Sequence, residues 1–154
     1  MTTPESPWAG MPLCEHKIQF DCDRCNIKEI PMIDLISLAA QEVYEILGIQ
    51  SEFIYEAAME IEIWERSNYS ANIRRQVPCP IYYKGYMVGS GNIDLLINDS
   101  IILELKSVTK LTGKDTAQLK KYLSGMHLNH GLLINFNPLR EDVEIIEQTT
   151  GTKD

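Results

Sequence analysis

Residues 91–122 set out an acid, then an acid-x-Lys, then a Gln and a Tyr four apart: Asp94, Glu104-Leu105-Lys106 and Gln118-Leu119-Lys120-Lys121-Tyr122. Glu104 and Lys106 are two residues apart, so on a strand both side chains point to one face. Asp94 on the preceding strand can share an ion with Glu104, and the backbone carbonyl of Leu105 offers a further oxygen. Mg²⁺ takes oxygen ligands in an octahedron and keeps several waters. Lys106 would sit beside such a water, orienting it or stabilising its deprotonated form. A cation, two carboxylates and an attacking water are the equipment for hydrolysing a phosphodiester. The plain alternative is a surface salt bridge between Glu104 and Lys106, since acid-x-Lys alone is common. Against it stand the flanks: Leu95-Leu96-Ile97 follows Asp94 and Ile101-Ile102-Leu103 precedes Glu104. Both acids therefore lie at the margins of buried strands, where an unpaired charge is costly.

These residues need a scaffold, and hydropathy supplies one. Residues 30–47 are apolar at helical spacing, with Ile33, Ile36, Ala40, Val43 and Leu47 on one face, and Gly48 ends the run. A second helix is predicted with Ser51 as N-cap and Ile54, Ala57, Ala58 and Ile61 as its apolar face, fading near Asn68. Residues 76–106 read as three strands turned at Lys84-Gly85 and Asn98-Asp99. Pro78 and Pro80 put the first of them at an edge. Thr112 or Asp115 starts a helix with the stripe Leu119, Tyr122, Leu123 and Met126. Gln118 and Tyr122, one turn apart, share a face of it. Leu132-Leu133-Ile134 is a further buried strand, and residues 143–146 form a last edge strand. The expected fold is an α/β sandwich with a mixed sheet of four to five strands flanked by helices.

The chain has 154 residues, 44% of them hydrophobic and 23% charged, enough for one domain with a real core. No apolar run approaches the length of a membrane span, which excludes a membrane-spanning helix, and the N-terminus lacks the basic flank and apolar core of a secretory signal. An intracellular place, cytoplasm or nucleus, is expected. The net charge of −8 argues against nucleic-acid binding by bulk charge. The charge is uneven, however. Lys106, Lys110, Lys114, Lys120 and Lys121 cluster around the acids, with Arg66, Arg74, Arg75 and Lys84 upstream, while acids gather in residues 52–65 and 141–147. A local basic groove and a solvated lysine-rich helix face both fit this pattern.

Residues 1–12, with three prolines, read as a disordered lead-in. Residues 13–29 hold Cys14-x-His16 and Cys22-x-x-Cys25, four ligands suited to a tetrahedral structural Zn²⁺. Free thiols, or an iron–sulfur cluster using Cys79 in place of His16, are the other readings. A zinc knuckle can bind single-stranded nucleic acid or a protein partner, or serve as a staple. His127 and His130 flank the end of the Gln118 helix as caps rather than ligands. Residues 30–148 form the main domain and 149–154 a flexible tail.

Asp94, Glu104-x-Lys106 and Gln118-x-x-x-Tyr122 resemble the PD-(D/E)xK nuclease superfamily, in particular its RecB-like and lambda-exonuclease-like branch. More closely, the chain resembles the GxxExxY protein family. The matching segments are Glu52-Phe53-Ile54-Tyr55, Arg75-Gln76-Val77-Pro78, Tyr83-Lys84-Gly85, Asp94-Leu95-Leu96, Glu104-Leu105-Lys106, Ala117-Gln118-Leu119-Lys120-Lys121-Tyr122-Leu123 and Gly131-Leu132-Leu133-Ile134-Asn135-Phe136. The family's glycine falls on Ile49, with Gly48 one residue earlier, and Ile93 stands where the superfamily motif has its leading Pro. The resemblance implies a restriction-endonuclease-like core and a Mg²⁺ or Mn²⁺ held by Glu52, Asp94, Glu104 and the Leu105 carbonyl. It implies Gln118 and Tyr122 near the scissile strand. Tyr55 is expected to pack, with a partner for its hydroxyl. The family occurs in microbes and large DNA viruses, so a virus-encoded origin fits.

The leading expectation is a metal-dependent deoxyribonuclease with catalytic Asp94, Glu104, Lys106, Gln118 and Tyr122, and with Lys110, Lys114, Lys120 and Lys121 binding DNA. A protein partner that recruits it to DNA is expected from its small size and acidic charge. The second expectation is a nuclease-fold binding module acting as an adaptor in a replication, repair or packaging assembly. The third is a structural protein whose acids are salt-bridged.

Overall fold

The computed structural model describes residues 30–150. The lead-in, the Cys14, His16, Cys22 and Cys25 set and residues 151–154 lie outside the described residues. The elements run α1 (Met32–Leu47), α2 (Glu52–Arg66), β1 (Ile73–Tyr83), β2 (Tyr86–Ile97), β3 (Ile101–Lys106), α3 (Gly113–Met126), β4 (His130–Asn135) and β5 (Glu144–Thr149). One five-stranded sheet takes them in the order β1-β2-β3-β4-β5. Only β3 and β4 are parallel; the other neighbours are antiparallel. A parallel pair needs a crossover, and α3 is that crossover. The expected mixed sheet with flanking helices is the fold of this chain.

Two apolar layers enclose the sheet. On one face α1 and α2 bury Leu35, Ile36, Val43, Tyr55, Met59 and Ile63 against Leu95, Leu103, Leu105, Leu132 and Ile134. On the other, α3 buries Leu119, Tyr122 and Leu123 against Val77, Cys79, Ile93, Ile102 and Leu133. The β3 residues 101–105 are buried on both faces, as their unbroken apolar run requires. Both hairpin turns carry positive φ at their two central residues, 49° and 83° at Lys84-Gly85 and 52° at each of Asn98 and Asp99. That is the twist the two-residue Lys84-Gly85 hairpin demands, and Asn98 and Asp99 share it within a three-residue connection that ends at Ser100. β1, with Pro78 and Pro80, is an edge strand. Thr112 caps α3, its backbone amide bonded by Asp115 Oδ2 at 2.9 Å, so both proposed starts belong to one capping box. His127 ends the helix in the left-handed conformation.

The structure corrects the expected face of α2. Ile54 and Ile61 are 42% and 57% exposed, and the buried stripe is Tyr55, Met59 and Ile63, with Glu56 beside it. The helix is turned by one residue, roughly 100°. The aromatic ring decides it: Tyr55 stacks on Phe136 with centroids 4.0 Å apart and planes 11° from parallel, with Tyr44 edge-on to both. Cys79 is 1% exposed in the α3 layer, its thiol directed at the carbonyls of Pro80 and Tyr122, which places it in the core. β5 continues through Thr149, one residue into the stretch expected as tail.

Tyr55 also sets the loop ahead of α2. Its hydroxyl donates to Gly48 O at 2.6 Å and accepts from Gln50 N at 2.8 Å. Gly48 has φ +64°, which favours glycine there, one residue ahead of Ile49. Tyr55→Phe keeps the stacking and loses both bonds. It is expected to cost about 1–3 kcal/mol, read as a lower midpoint in urea unfolding at unchanged m-value.

Candidate active site

The β2–β3 ladder pairs Ile97 with Ile101, Leu96 with Ile102 and Leu95 with Leu103, so Asp94 and Glu104 come next, opposite each other. There the strands part. Asp94 Oδ2 accepts from Leu105 N at 2.8 Å, and Glu104 Oε1 accepts from Asp94 N at 3.3 Å. Each carboxylate takes an amide on the segment where the ladder ends. On the other side of β2, Arg75 pairs with Leu95 and Val77 with Ile93, which sets Gln76 opposite Asp94. Gln76 has φ +52°, a left-handed conformation that costs an L-residue on the order of 1 kcal/mol. The sheet changes layers at this point: Ile73, Leu95 and Ile97 join the α1/α2 core, and Val77, Cys79 and Ile93 the α3 core.

Lys106 follows Glu104 by two on β3, and both alternate with Leu103 and Leu105, which face the α1/α2 core. Lys106 Nζ lies 3.8 Å from Asp115 Oδ1 in the first turn of α3. Asp115 was legible as a helix-start residue but not as the partner of Lys106. One turn on, Gln118 Nε2 donates to the Tyr122 hydroxyl at 3.1 Å. Tyr122 is buried against β2. A Cβ at Gly91 would stand 2.6 Å from its ring and hydroxyl, so the tyrosine fits because residue 91 is glycine. Likewise a Cβ at Gly125 would stand 2.9 Å from Cys79 Sγ, so α3 closes directly on β1.

Glu52, exposed at the start of α2, accepts from Ser107 N at 3.2 Å and so reaches the residue after Lys106. Among the described residues no three His, Cys, Asp or Glu side chains stand together as a group that could hold a metal ion. The pair is Asp94 and Glu104, with Glu52 at the end of β3. Sequence reasoning missed the charge behind that pair. Glu56 is 4% exposed and accepts from Arg75 Nε at 3.1 Å and Gln76 Nε2 at 2.9 Å. Arg75 also meets Glu60 at 3.5 Å, and is thus the counter-cation that stacked acids on α2 require. The Arg75-Gln76 segment was visible in the sequence, but nothing local linked it to α2.

Burial governs the electrostatics. Glu104 is 4% exposed, and desolvation, followed by the Asp94 charge, pushes its acid from the ordinary 4.5 up to about 8. Desolvation also raises Asp94, against the bond from the Leu105 amide. Tyr122 and Cys79 are raised by burial and then by the Glu104 charge. Among the described residues, Lys106 pairs with Asp115 and Arg75 with Glu56 and Glu60, leaving Asp94 and Glu104 bonded by backbone amides.

Lys110, Lys114, Lys120 and Lys121 are exposed on α3 and the loop before it. Lys114 and Lys121 line a cleft of about 890 Å³ between α3 and the far half of β1, together with Asp115, Gln118, Tyr122 and Tyr82. Lys110 and Lys120 lie outside its lining.

Comparison with known proteins places the chain in a family. No curated protein matches the chain. The crystal structure of SSO0001 is similar at 21% identity and a TM-score of 0.46, over 78% of this chain and 66% of that one. A sequence model described as the PD-(D/E)XK nuclease superfamily matches residues 31–147, from the N-cap of α1 to the middle of β5. With that match over most of its length, the chain belongs to the PD-(D/E)XK nuclease superfamily.

Proposed function

We propose that this protein is a metal-dependent nuclease that hydrolyses DNA, using Mg²⁺ or Mn²⁺. The observation that carries the reading is the opposed pair Asp94 and Glu104 at the parting of β2 and β3, with Lys106 two residues on. The residues fit a divalent cation. A carboxyl as buried as Glu104, without a lysine or arginine partner among the described residues, is costly when ionised unless a cation compensates it. Asp94, Glu104 and the Leu105 carbonyl would hold the ion, with Glu52 contributing from α2. When bound, it supplies charge stabilisation and a more acidic water.

The chain's own groups do the rest. Lys106, steadied by Asp115, holds the attacking water and places positive charge beside the phosphate. Gln118 and Tyr122 position the strand. Water adds to phosphorus and the bond to O3′ breaks. One proton leaves the water and another completes the departing hydroxyl, so the products are a 5′-phosphate and a 3′-hydroxyl. Within the superfamily we place the chain in the GxxExxY family of the RecB-like branch. The support is Glu52-x-x-Tyr55, whose tyrosine fixes the loop before α2 while its glutamate reaches β3. On spacing alone, Cys14, His16, Cys22 and Cys25 are proposed to hold a structural Zn²⁺. A partner protein that presents DNA fits the net charge of −8. No helix among the described residues is long and apolar enough to cross a membrane.

Two measurements test this reading. Wild type is expected to cut DNA with Mg²⁺ or Mn²⁺ and to stop in chelator, and Asp94→Asn and Lys106→Ala are each expected to slow cutting by about 10²-fold or more. Cutting that persists in chelator, or in both variants, would sink the assignment. The second measurement is thermal unfolding of chelated protein across pH. The folded protein holds the Glu104 proton up to about pH 8, whereas the unfolded chain releases it near 4.5. Stability should therefore fall as pH rises between those values, with a contribution from this residue of at most about 1.4 kcal/mol per pH unit. Glu104→Gln should flatten that slope, and a slope unchanged in the variant refutes the assignment of the buried acid.

A further inference from the structure

We propose that the projecting β1–β2 hairpin stacks unpaired bases of a nucleic-acid strand, and that the cleft along α3 leads that strand to Asp94 and Glu104. The proposal rests on the nuclease reading above and specifies its substrate form.

The hairpin outruns its sheet. β3 pairs with β2 only at residues 95–97, so among the described residues β1 is the one strand neighbour of residues 86–92. Toward the tip, Ile81, Tyr82, Tyr83, Tyr86, Met87 and Val88 are between 43% and 76% exposed. A run of large apolar and aromatic side chains held out on a two-stranded arm is an interaction surface, since none of the described residues covers it. Charge indicates the occupant. Residues 77–93 contain no acid, and residues 105–129 contain one, Asp115, which is already engaged by Lys106 and the Thr112 cap. Lys84, Lys110, Lys114, Lys120 and Lys121 lie in the same two segments. A chain of net charge −8 thus keeps this side basic. Tyrosine faces with lysines among them suit a polyanion that also offers aromatic rings.

The cleft joins the two parts. Its lining takes Ile81 and Tyr82 from the hairpin and Lys114, Asp115, Gln118, Lys121 and Tyr122 from α3. Asp115 meets Lys106 at 3.8 Å, two residues from Glu104, and the Tyr122 ring lies against Gly91, three residues from Asp94, so the lining borders the strands that carry the carboxylate pair. At the tip, Lys84 Nζ lies 5.5 Å from the Tyr83 ring centroid, which sets a cation beside a stacking face. Bases in a duplex are already stacked, so exposed tyrosines favour an unpaired strand.

The test measures fluorescence anisotropy of full-length protein in chelator with a labelled oligothymidine strand and with a blunt duplex. Wild type is expected to bind the single strand more tightly. Tyr82→Ala should weaken that binding by about 5- to 150-fold, and Tyr82→Phe should restore it, as stacking requires a ring and not a hydroxyl. Circular dichroism checks that the variants fold. Equal single-strand affinity in Tyr82→Ala, or tighter binding of the duplex by wild type, overturns the proposal. So does a wild-type dimer in sedimentation that Tyr82→Ala converts to monomer, because a second copy would then cover the hairpin. Metal-dependent cutting by wild type with strand binding indifferent to Tyr82 would leave the nuclease reading standing and remove this one. Strand binding that depends on Tyr82, with no cutting by wild type, would do the reverse.

Discussion

Where β2 and β3 separate, two backbone amides lose their ladder partners inside a nearly closed core. An unbonded buried amide is expensive, and Asp94 and Glu104 meet that demand by accepting from the Leu105 and Asp94 amides. The solution brings its own cost, because it fixes two carboxylates side by side with little water. Their acids rise, Glu104 to about 8. The same contact that closes the backbone account therefore creates a site with unmet negative charge. Much of the neighbouring structure serves to keep that pair in place.

Behind the pair, Glu56 adds a third negative charge close enough to raise both acids. Arg75 and Gln76 hold it, and Gln76 adopts a left-handed backbone to do so. Strain at such a position persists when surrounding contacts over-determine it. Here the β1–β2 ladder on either side, at Arg75 and Val77, supplies them. In front of the pair, α3 is drawn in by two glycines. Gly91 admits the Tyr122 ring, and Gly125 admits Cys79 and the Pro80 carbonyl. Without those close approaches the helix would stand off the sheet, and Gln118, Asp115 and Lys106 would lose their common edge.

The asymmetry of the molecule follows from strand lengths. β3 and β4 have six residues each, whereas β1 and β2 have eleven and twelve, so the excess leaves the sheet as an arm. The lysines of α3 lie on the face of the sheet away from α2 and its acids, and Tyr82 of the arm lines the cleft beside them. The net charge thus conceals a basic side and an acidic side.

Much of this was legible in the sequence. Hydropathy periods marked α1, β3, α3 and β4, because each buries one continuous apolar stripe or run. Lys84-Gly85 and Asn98-Asp99 marked the turns, because few residues tolerate positive φ. The two-residue step from Glu104 to Lys106 put both on one face, and Thr112 with Asp115 marked the start of α3. Tertiary structure decided what depends on partners far along the chain. It turned α2 onto Tyr55, Met59 and Ile63, since stacking on Phe136 outweighs an equally apolar rival stripe. It buried Glu56 against Arg75, gave Asp115 to Lys106, and set Gly91 under Tyr122. Local spacing determines which face a side chain takes. Which charge or ring meets it there is set only when segments distant in sequence pack together.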